Sequence, residues 1–409
     1  MKIIVQKFGG TSVATPVTRE KVVGKVQEAI DQGYAPIVVV SAMGRRGDPF
    51  ATDTMIDMLK SVNPNPAPHE LDLLMACGEI ISSTVMASTL QEHGLKARAL
   101  TGGQAGMITD EEYGNAKIRT VEPDNLLELV EQGIIPVVCG FQGVTPDHKN
   151  ITTLGRGGSD TSAAAFGVAV HADKVEIYTD VDGVMTADPR IVKDAHIIKQ
   201  ISYDEIREMA HQGAKVIHPR AVEIVMRYGV PMVVKSTFSD APGTLISKED
   251  QPKEMEEGDT LESNHACGVA SKNNITFFSV SLDTQNGAEL FDTLARNGVS
   301  IGTMSLQPHS LMFAVYSAAT ADAENVLKQE NCNYTKVENC SKVTVVGSHM
   351  GGVPGIMARF INALAKAGIE ILQTTDSDNL ISAIVRESQV KEAVNALHTA
   401  FQTQEGETK

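Results

Sequence analysis

Short β-branched runs and helical stretches take turns along residues 1–247, and this alternation restricts the fold more than any other feature. Lys2–Gln6 is apolar and runs into glycines. Pro16–Gln32 has helical periodicity and stops at Gly33. Pro36–Ser41 (PIVVVS) is continuous and β-branched, as in a strand covered on both faces. Glu70–His93 reads as a long helix closed by Gly94. Ile134–Cys139, Val175–Thr179 and Pro231–Ser236 read as further buried strands. Ser159–Val170 is small and apolar, which suits a helix packed closely on a sheet. Strands that alternate with helices predict an α/β domain with an open, mainly parallel sheet covered by helices. The Pro-rich piece Asn63–Pro68 reads as a rigid surface loop.

The pattern then breaks. Residues 247–263 carry seven acidic and two basic residues and almost nothing apolar, as a solvated connector does. Beyond it lies a repeat. Glu289–Gly298 (ELFDTLARNG) matches Arg359–Gly368 (RFINALAKAG) at an offset of 70. Val299 and Ile301 match Ile369 and Ile371, and Leu311, Phe313 and Val315 match Ile381, Ala383 and Val385. Each unit reads strand, helix, strand, strand, helix, the start of a ferredoxin-like βαββαβ module. The expected division is a first domain at 1–247, an acidic linker at 248–263 and two modules at 264–335 and 336–394. The segment 395–409 is a candidate to complete the first module.

A chain of 409 residues can bury large cores without disulfide or metal staples. Its net charge of −16 repels phosphate backbones, so general nucleic-acid binding is not expected. Five scattered cysteines, without a C-x-x-C, support neither a disulfide framework nor a zinc site. Cys77 and Cys139 sit in apolar runs and are expected to pack as small hydrophobes. No apolar stretch approaches the roughly 20 residues of a membrane helix, and MKIIVQKFGG lacks signal-peptide features. The expectation is a cytoplasmic protein that binds no membrane.

Several familiar motifs fail. Gly24-Lys25 lacks the rest of a Walker A loop, and Gly155–Asp160 has aspartate where the dinucleotide fingerprint needs its last glycine. Ser159 has no glycine at 161, so there is no nucleophile elbow. Asp180-Val-Asp182-Gly183 would need glutamate at Ile191 to be a calcium loop. His211 and His218 suit capping or packing better than a metal pair. No metal-ligating set is expected.

The positive signals are glycine-rich turns after strands. Lys7-Phe8-Gly9-Gly10-Thr-Ser12 lets backbone N–H groups approach phosphate and adds a cation; a plain strand-to-helix turn is the alternative. Gly155-Arg156-Gly157-Gly158-Ser159-Asp160 brings an arginine, a hydroxyl and a carboxylate to a helix start. Arg156 could hold a carboxylate in two hydrogen bonds and Asp160 could accept from an ammonium, or Asp160 could serve only the helix dipole. Thr179-Asp180 ends a strand, where α/β sheets bind ligands. Ser41 ends PIVVVS, and Thr52 lies in the loop after it. Glu79, in the apolar run LLMACGEIIS, must find a partner: a substrate ammonium or a structural hydrogen bond.

At these residues the sequence resembles the bacterial aspartokinases of the amino-acid kinase family. KFGGTS at 7–12, VVVSAMG at 38–44, GE at 78–79, TLGRGGSDTSA at 153–163, TDVDGVMTADPR at 179–190 and GAKVIHPRAVE at 213–223 fall in the family's order. The resemblance covers the chain, with the repeat similar to paired ACT modules. It implies phosphorylation of L-aspartate by ATP and Mg2+ to 4-phospho-L-aspartate, early in the biosynthesis of lysine, diaminopimelate, threonine and methionine. Lys7 would stabilise charge on the transferring group, with Asp160 orienting the substrate or organising Lys7. Ser41, Thr52, Glu79, Arg156, Gly157 and Ser159 would hold aspartate. Lys7, Phe8, Gly9, Gly10, Thr179, Asp180, Met185, Thr186, Ala187, Asp188, Pro189, Arg190 and Lys215 would bind ATP.

The ACT repeat implies feedback by an end-product amino acid. Its candidate contacts are Gly352, Val353, Pro354, Gly355, Ile356 and Met357 at a turn that opens a helix, and Thr374, Thr375 and Asp376 on a strand. Thr284–Gly287 replaces the proline-glycine turn of lysine- and threonine-sensitive enzymes, so meso-diaminopimelate is the first effector expected, with lysine or threonine as alternatives. The modules also imply a homodimer or higher homo-oligomer. Two other readings compete: a different amino-acid kinase, and an inactive amino-acid sensor. The paired ACT repeat counts against the first, and Lys7, Arg156, Asp160 and Lys215 against the second.

Overall fold

The computed structural model describes residues 1–214, 216–248, 266–282, 287–348 and 350–402. They form two compact units. One holds 1–184, 197–210 and 216–248; the other holds 185–196, 211–214 and 266–402. The first unit therefore lacks 185–196, which the expected 1–247 domain had included.

The first unit is built on an eight-stranded sheet in the order Gln200–Ser202, Thr244–Ser247, Met232–Ser236, Lys174–Thr179, Lys2–Phe8, Tyr34–Val40, Ile135–Cys139, Ala97–Leu100. All neighbours run parallel except Met232–Ser236 against Thr244–Ser247. The central strands are buried on both faces, which is why they read as unbroken apolar runs. A smaller sheet pairs Ile118–Val121, Met107–Thr109, Gln142–Val144 and Ile151–Thr153.

Local chemistry marks the helix ends. Thr15 and Thr18 form a reciprocal capping box ahead of Pro16–Asp31, whose first residue is the proline. Gly33, Gly94 and Gly229 adopt positive φ just beyond helix ends. The Pro-rich piece ends by opening the helix Pro68–Glu92. Thr52 differs from expectation: it is the first residue of the helix Thr52–Val62 rather than part of a loop. Cys77 also differs. It is only half-buried, because Pro68–Glu92 buries another face, and its Sγ donates to the Leu73 carbonyl. Pro68–Glu92 has the length and hydropathy (1.5) of a membrane span, but half of its most apolar window is buried. Its fully buried Asp72 and Glu79 point to a core helix instead.

The second unit is organised by a six-stranded antiparallel sheet in the order Thr303–Gln307, Ser310–Tyr316, Ala266–Ser281, Asn333–Gly347, Leu380–Arg386, Gln373–Ser377. The repeat is visible at its offset of 70: Thr303–Gln307 corresponds to Gln373–Ser377, and Ser310–Tyr316 to Leu380–Arg386. Two long strands serve both modules. Residues 275–281 pair with Ser310–Tyr316, whereas 266–272 pair with the 342–347 half of Asn333–Gly347, which itself pairs with Leu380–Arg386.

This changes the expected modules. The C-terminal helix Val390–Gln402 does not complete the first one. Val390, Ala393, Val394 and Leu397 enter one core with Val343, Val345, Phe360, Leu364 and Ile381, all of the second. Val269 belongs to that core too, so the first half of Ala266–Ser281, expected in the first module, closes the second. The first module keeps its own core of Phe278, Val280, Leu290, Leu294, Phe313 and Leu327.

Candidate active site

Parallel strands aim their carboxyl ends at one edge, and the motif residues come directly after them. Along the sheet the adjacent strands end at Thr179, Phe8, Val40 and Cys139. Short backbone bonds extend this edge: Gly9 N–H to Tyr178 O (3.2 Å), Ser41 N–H to Phe8 O (3.2 Å) and Gly140 N–H to Val40 O (2.9 Å). Gly9-Gly10, Ser41, Gly140 and Asp180 thus share one rim, where α/β sheets bind ligands.

Lys7 is the cation of this rim. Its Nζ lies 2.7 Å from Asp160 Oδ1, and both side chains are only about one-eighth exposed (12% and 14%). The contact lacks hydrogen-bond alignment and is electrostatic. It joins the motif after the first strand to the helix Gly158–Ala169. That helix is preceded by Gly157, whose φ is +70°, and no side chain caps it. Its first-turn N–H groups and dipole favour an anion. The backbone is packed tightly here. A Cβ at Gly10 would lie 2.4 Å from Ala42 O, and one at Gly140 2.8 Å from Ser159 Cβ.

Glu79 faces the same region from Pro68–Glu92. Its Oε1 accepts the Ala42 N–H at 2.9 Å, while Oε2 is buried without a partner among the described residues. Burial pushes its carboxyl up to about 8 despite the Ala42 donor. A buried carboxylate with one idle oxygen suits an ammonium ligand. Ser159 is buried beside Gly140, and Arg156 is exposed two residues before the helix. Asp180 pairs with Arg45 at 2.6 Å on the surface, an arginine that sequence reasoning did not single out.

Other expected contacts need correction. Phe8 is fully buried and stacks on Tyr178 with ring centroids 4.7 Å apart, so only its backbone can reach a ligand. In the second unit, Thr186 and Ala187 are buried; Ala187 joins Val192 in that unit's core, and the Thr186 hydroxyl meets His398 Nε2 at 2.9 Å. Of the expected nucleotide run only Met185 and Asp188–Arg190 keep accessible side chains, and Arg190 grips Asp188 with two nitrogens at 3.0 and 2.6 Å. Lys215 and residues 284–286 lie outside the described residues.

At the expected effector turn, Gly352 and Gly355 adopt φ of +73° and +95°, and Gly355 leads into the uncapped helix Ile356–Lys366. Thr374 and Asp376 are exposed on the edge strand Gln373–Ser377, whereas Ile356 and Met357 pack partly into the core. Among the described residues no cluster of three His, Cys, Asp or Glu could hold a metal.

The profile of the amino acid kinase family matches residues 2–236, and that of the ACT domain matches 336–399. Aspartokinase 1 of Bacillus subtilis is 44% identical over 405 residues, covering 98% of this chain and 99% of that protein. The aspartokinase of Geobacillus stearothermophilus is 39% identical, covering 98% and 97%. Among solved structures, E. coli aspartokinase III in complex with aspartate and ADP superposes with a TM-score of 0.77 at 25% identity, covering 98% of this chain and 100% of that one. The aspartate kinase of Clostridium acetobutylicum shares the fold with a TM-score of 0.79, covering 97% and 100% at 23% identity.

Proposed function

The chain belongs to the amino acid kinase family, among its aspartokinases, and from that premise we propose how its residues divide the work of phosphorylating the side-chain carboxylate of L-aspartate. The single observation that carries the division is the Lys7–Asp160 pair at 2.7 Å, which joins the phosphate-side and acceptor-side motifs.

The acceptor carboxyl has an ordinary pKa of about 3.9 and is ionised at neutral pH, so the reaction needs no base to uncover a nucleophile. What it needs is two anions held in line and their charge neutralised. Bound with ATP, Mg2+ supplies part of that neutralisation. Lys7 supplies the protein's cation, and Asp160 holds its Nζ in place. Backbone N–H groups at Gly9 and Gly10 receive phosphate oxygens, and Thr179 and Asp180 take the nucleotide, with Met185, Asp188, Pro189, Arg190 and Lys215 assigned there on the resemblance alone. Arg156 takes the aspartate α-carboxylate, Glu79 its ammonium, and Ser41, Thr52, Gly157 and Ser159 line the remainder. The E. coli complex with aspartate and ADP supports both ligand assignments.

Regulation is assigned to the ACT modules. The uncapped start of Ile356–Lys366 can receive an effector carboxylate, and the exposed Thr374 and Asp376 can receive its ammonium. We take meso-diaminopimelate first, then lysine or threonine. Exposed Met304 and Leu306 on the edge strand Thr303–Gln307 support self-association into a homodimer or larger assembly. The acidic composition supports a cytoplasmic location.

The test is incubation with MgATP, L-aspartate and hydroxylamine, which converts an acyl phosphate to a hydroxamate. Signal with aspartate and none with glutamate is expected. The same assay with each amino acid added ranks the effectors, and full activity in all three would reject feedback by them.

A further inference from the structure

Two charged side chains, one buried and one half-buried, grip the segment that carries Arg156, and no role assigned above uses either. Asp72 lies in the second turn of Pro68–Glu92 and is fully buried. Its Oδ2 accepts the N–H groups of Thr153 (2.7 Å) and Gly114 (3.0 Å), and its Oδ1 accepts the Thr153 hydroxyl (2.9 Å). Arg220 lies in the first turn of Pro219–Tyr228. Its Nη1 donates to Leu154 O at 2.9 Å and its Nη2 to Ala116 O at 2.7 Å. Ala116 N–H in turn bonds Thr153 O at 2.9 Å. The stretches 114–116 and 153–154 are therefore pinned together from two helices.

The residues just beyond the pinned stretch have little freedom. Gly155 and Gly157 take φ of +76° and +70°. A Cβ at Gly155 would lie 2.9 Å from Gly114 O, and one at Gly157 2.3 Å from the His218 ring. Asp72 and Glu79 are seven residues apart, two turns of one helix, so they share a face about 10 Å apart along the axis.

We propose that Asp72 and Arg220 are positioning residues for the phosphoryl acceptor: they fix the loop so that Arg156 meets the aspartate α-carboxylate at a set place relative to Glu79. The proposal rests on the assignment of Arg156 and Glu79 to aspartate. One helix then fixes both charged groups on the substrate's α-carbon, the ammonium through Glu79 and the α-carboxylate through the loop that Asp72 holds. The bonds dictate the residue types. Three donors converge on position 72, and a carboxylate presents acceptors to all of them; an amide would keep one oxygen for the two N–H groups but turn an N–H toward the Thr153 hydroxyl, reversing that bond and removing the charge that draws the donors in. Arg220 spans two carbonyls with one planar fork, which a lysine ammonium cannot do.

The test measures kcat and KM for aspartate and for MgATP on the full chain, with aspartate affinity from calorimetry, for Asp72→Asn, Arg220→Met, Arg220→Lys and Arg156→Gln. Asp72→Asn and Arg220→Met are expected to raise the aspartate KM and Kd by ~10–100-fold while the MgATP KM moves by less than about two-fold. Arg220→Lys is expected to fall between Arg220→Met and the natural protein. Equal loss toward both substrates would reduce the two residues to general support and overturn the proposal. An unchanged aspartate KM in both, with Arg156→Gln raised, would overturn it while leaving the site assignment standing. An unchanged aspartate KM in Arg156→Gln would sink the assignment itself, and the proposal with it. Should Asp72→Asn fail to fold, the Arg220 pair decides alone.

Discussion

Aspartate binding is expected to expel a proton from Glu79. Burial raises this carboxyl from its ordinary 4.5 to about 8, against the smaller pull of the Ala42 N–H. At 1.36 kcal/mol per pH unit, the difference favours the neutral form by about 5 kcal/mol. The folded-state value is the raised one, so the stabilisation is complete below pH 4.5 and is lost as pH rises through about 8. In the substrate-free protein at pH 7 only about a tenth of Glu79 is ionised. An ammonium against the idle Oε2 reverses the preference, so each aspartate bound at pH 7 should release about 0.9 proton. The kcat/KM for aspartate should climb ~10-fold per pH unit below 8 and level off above it. Calorimetry in buffers of different ionisation enthalpy counts the proton, and a rate profile from about pH 6 to 9 gives the slope. Glu79→Gln should abolish both. A natural protein that binds aspartate at pH 7 without releasing a proton would refute the reasoning.

Three further outcomes are expected. Lys7→Met should lower kcat by ~10²–10³-fold with little change in the aspartate KM, as the proposed action of its charge on the transferring group requires; steady-state kinetics decide it. Gly157→Ala combines a positive φ with a Cβ 2.3 Å from the His218 ring, so it should cost about 1–3 kcal/mol or more in denaturant unfolding and raise the aspartate KM. Burial, then His196, hold His398 below its ordinary 6.5, so its contribution to stability is present above pH 6.5 and lost as pH falls below it. Melting temperatures from pH 7.5 down to about 5.5 should show that loss, and His398→Gln should flatten it.

The sheet of the first unit was legible because strands buried on both faces must be continuous β-branched runs, as at Ile37–Val40 and Val137–Cys139. The repeat was legible because two copies of one module bury the same positions, Leu294 with Leu364 and Phe313 with Ala383. Lys7, Glu79 and Asp160 could be found because a charge beside glycines or inside an apolar run has few ordinary uses. Asp72 escaped notice, although a carboxylate two turns before Glu79 on one face of an apolar helix was the available signal. Arg220 stood in the GAKVIHPRAVE motif, but its task is written in the carbonyls of Ala116 and Leu154, about a hundred and about sixty-six residues away, which periodicity cannot show. The closure of the second module by 266–272 was equally hidden, since strand pairing across an intervening module leaves no local pattern.

The seating of residues 185–196 in the second unit sets a schedule for the newborn chain. Ala187 and Val192 leave the ribosome about 200 residues ahead of Leu397, the core partner made last among those named. At ~5–20 residues per second, that is an interval of about 10–40 s before the core around Ala187 and Val192 is complete, with Val269 the first of its later buried partners to emerge. Strands whose partners are all made by residue 247 can assemble during that time. The 185–196 segment has its complete core only when synthesis has reached the final helix, so a polypeptide interrupted before Val390 would carry every glycine motif of the first unit with this core unfinished.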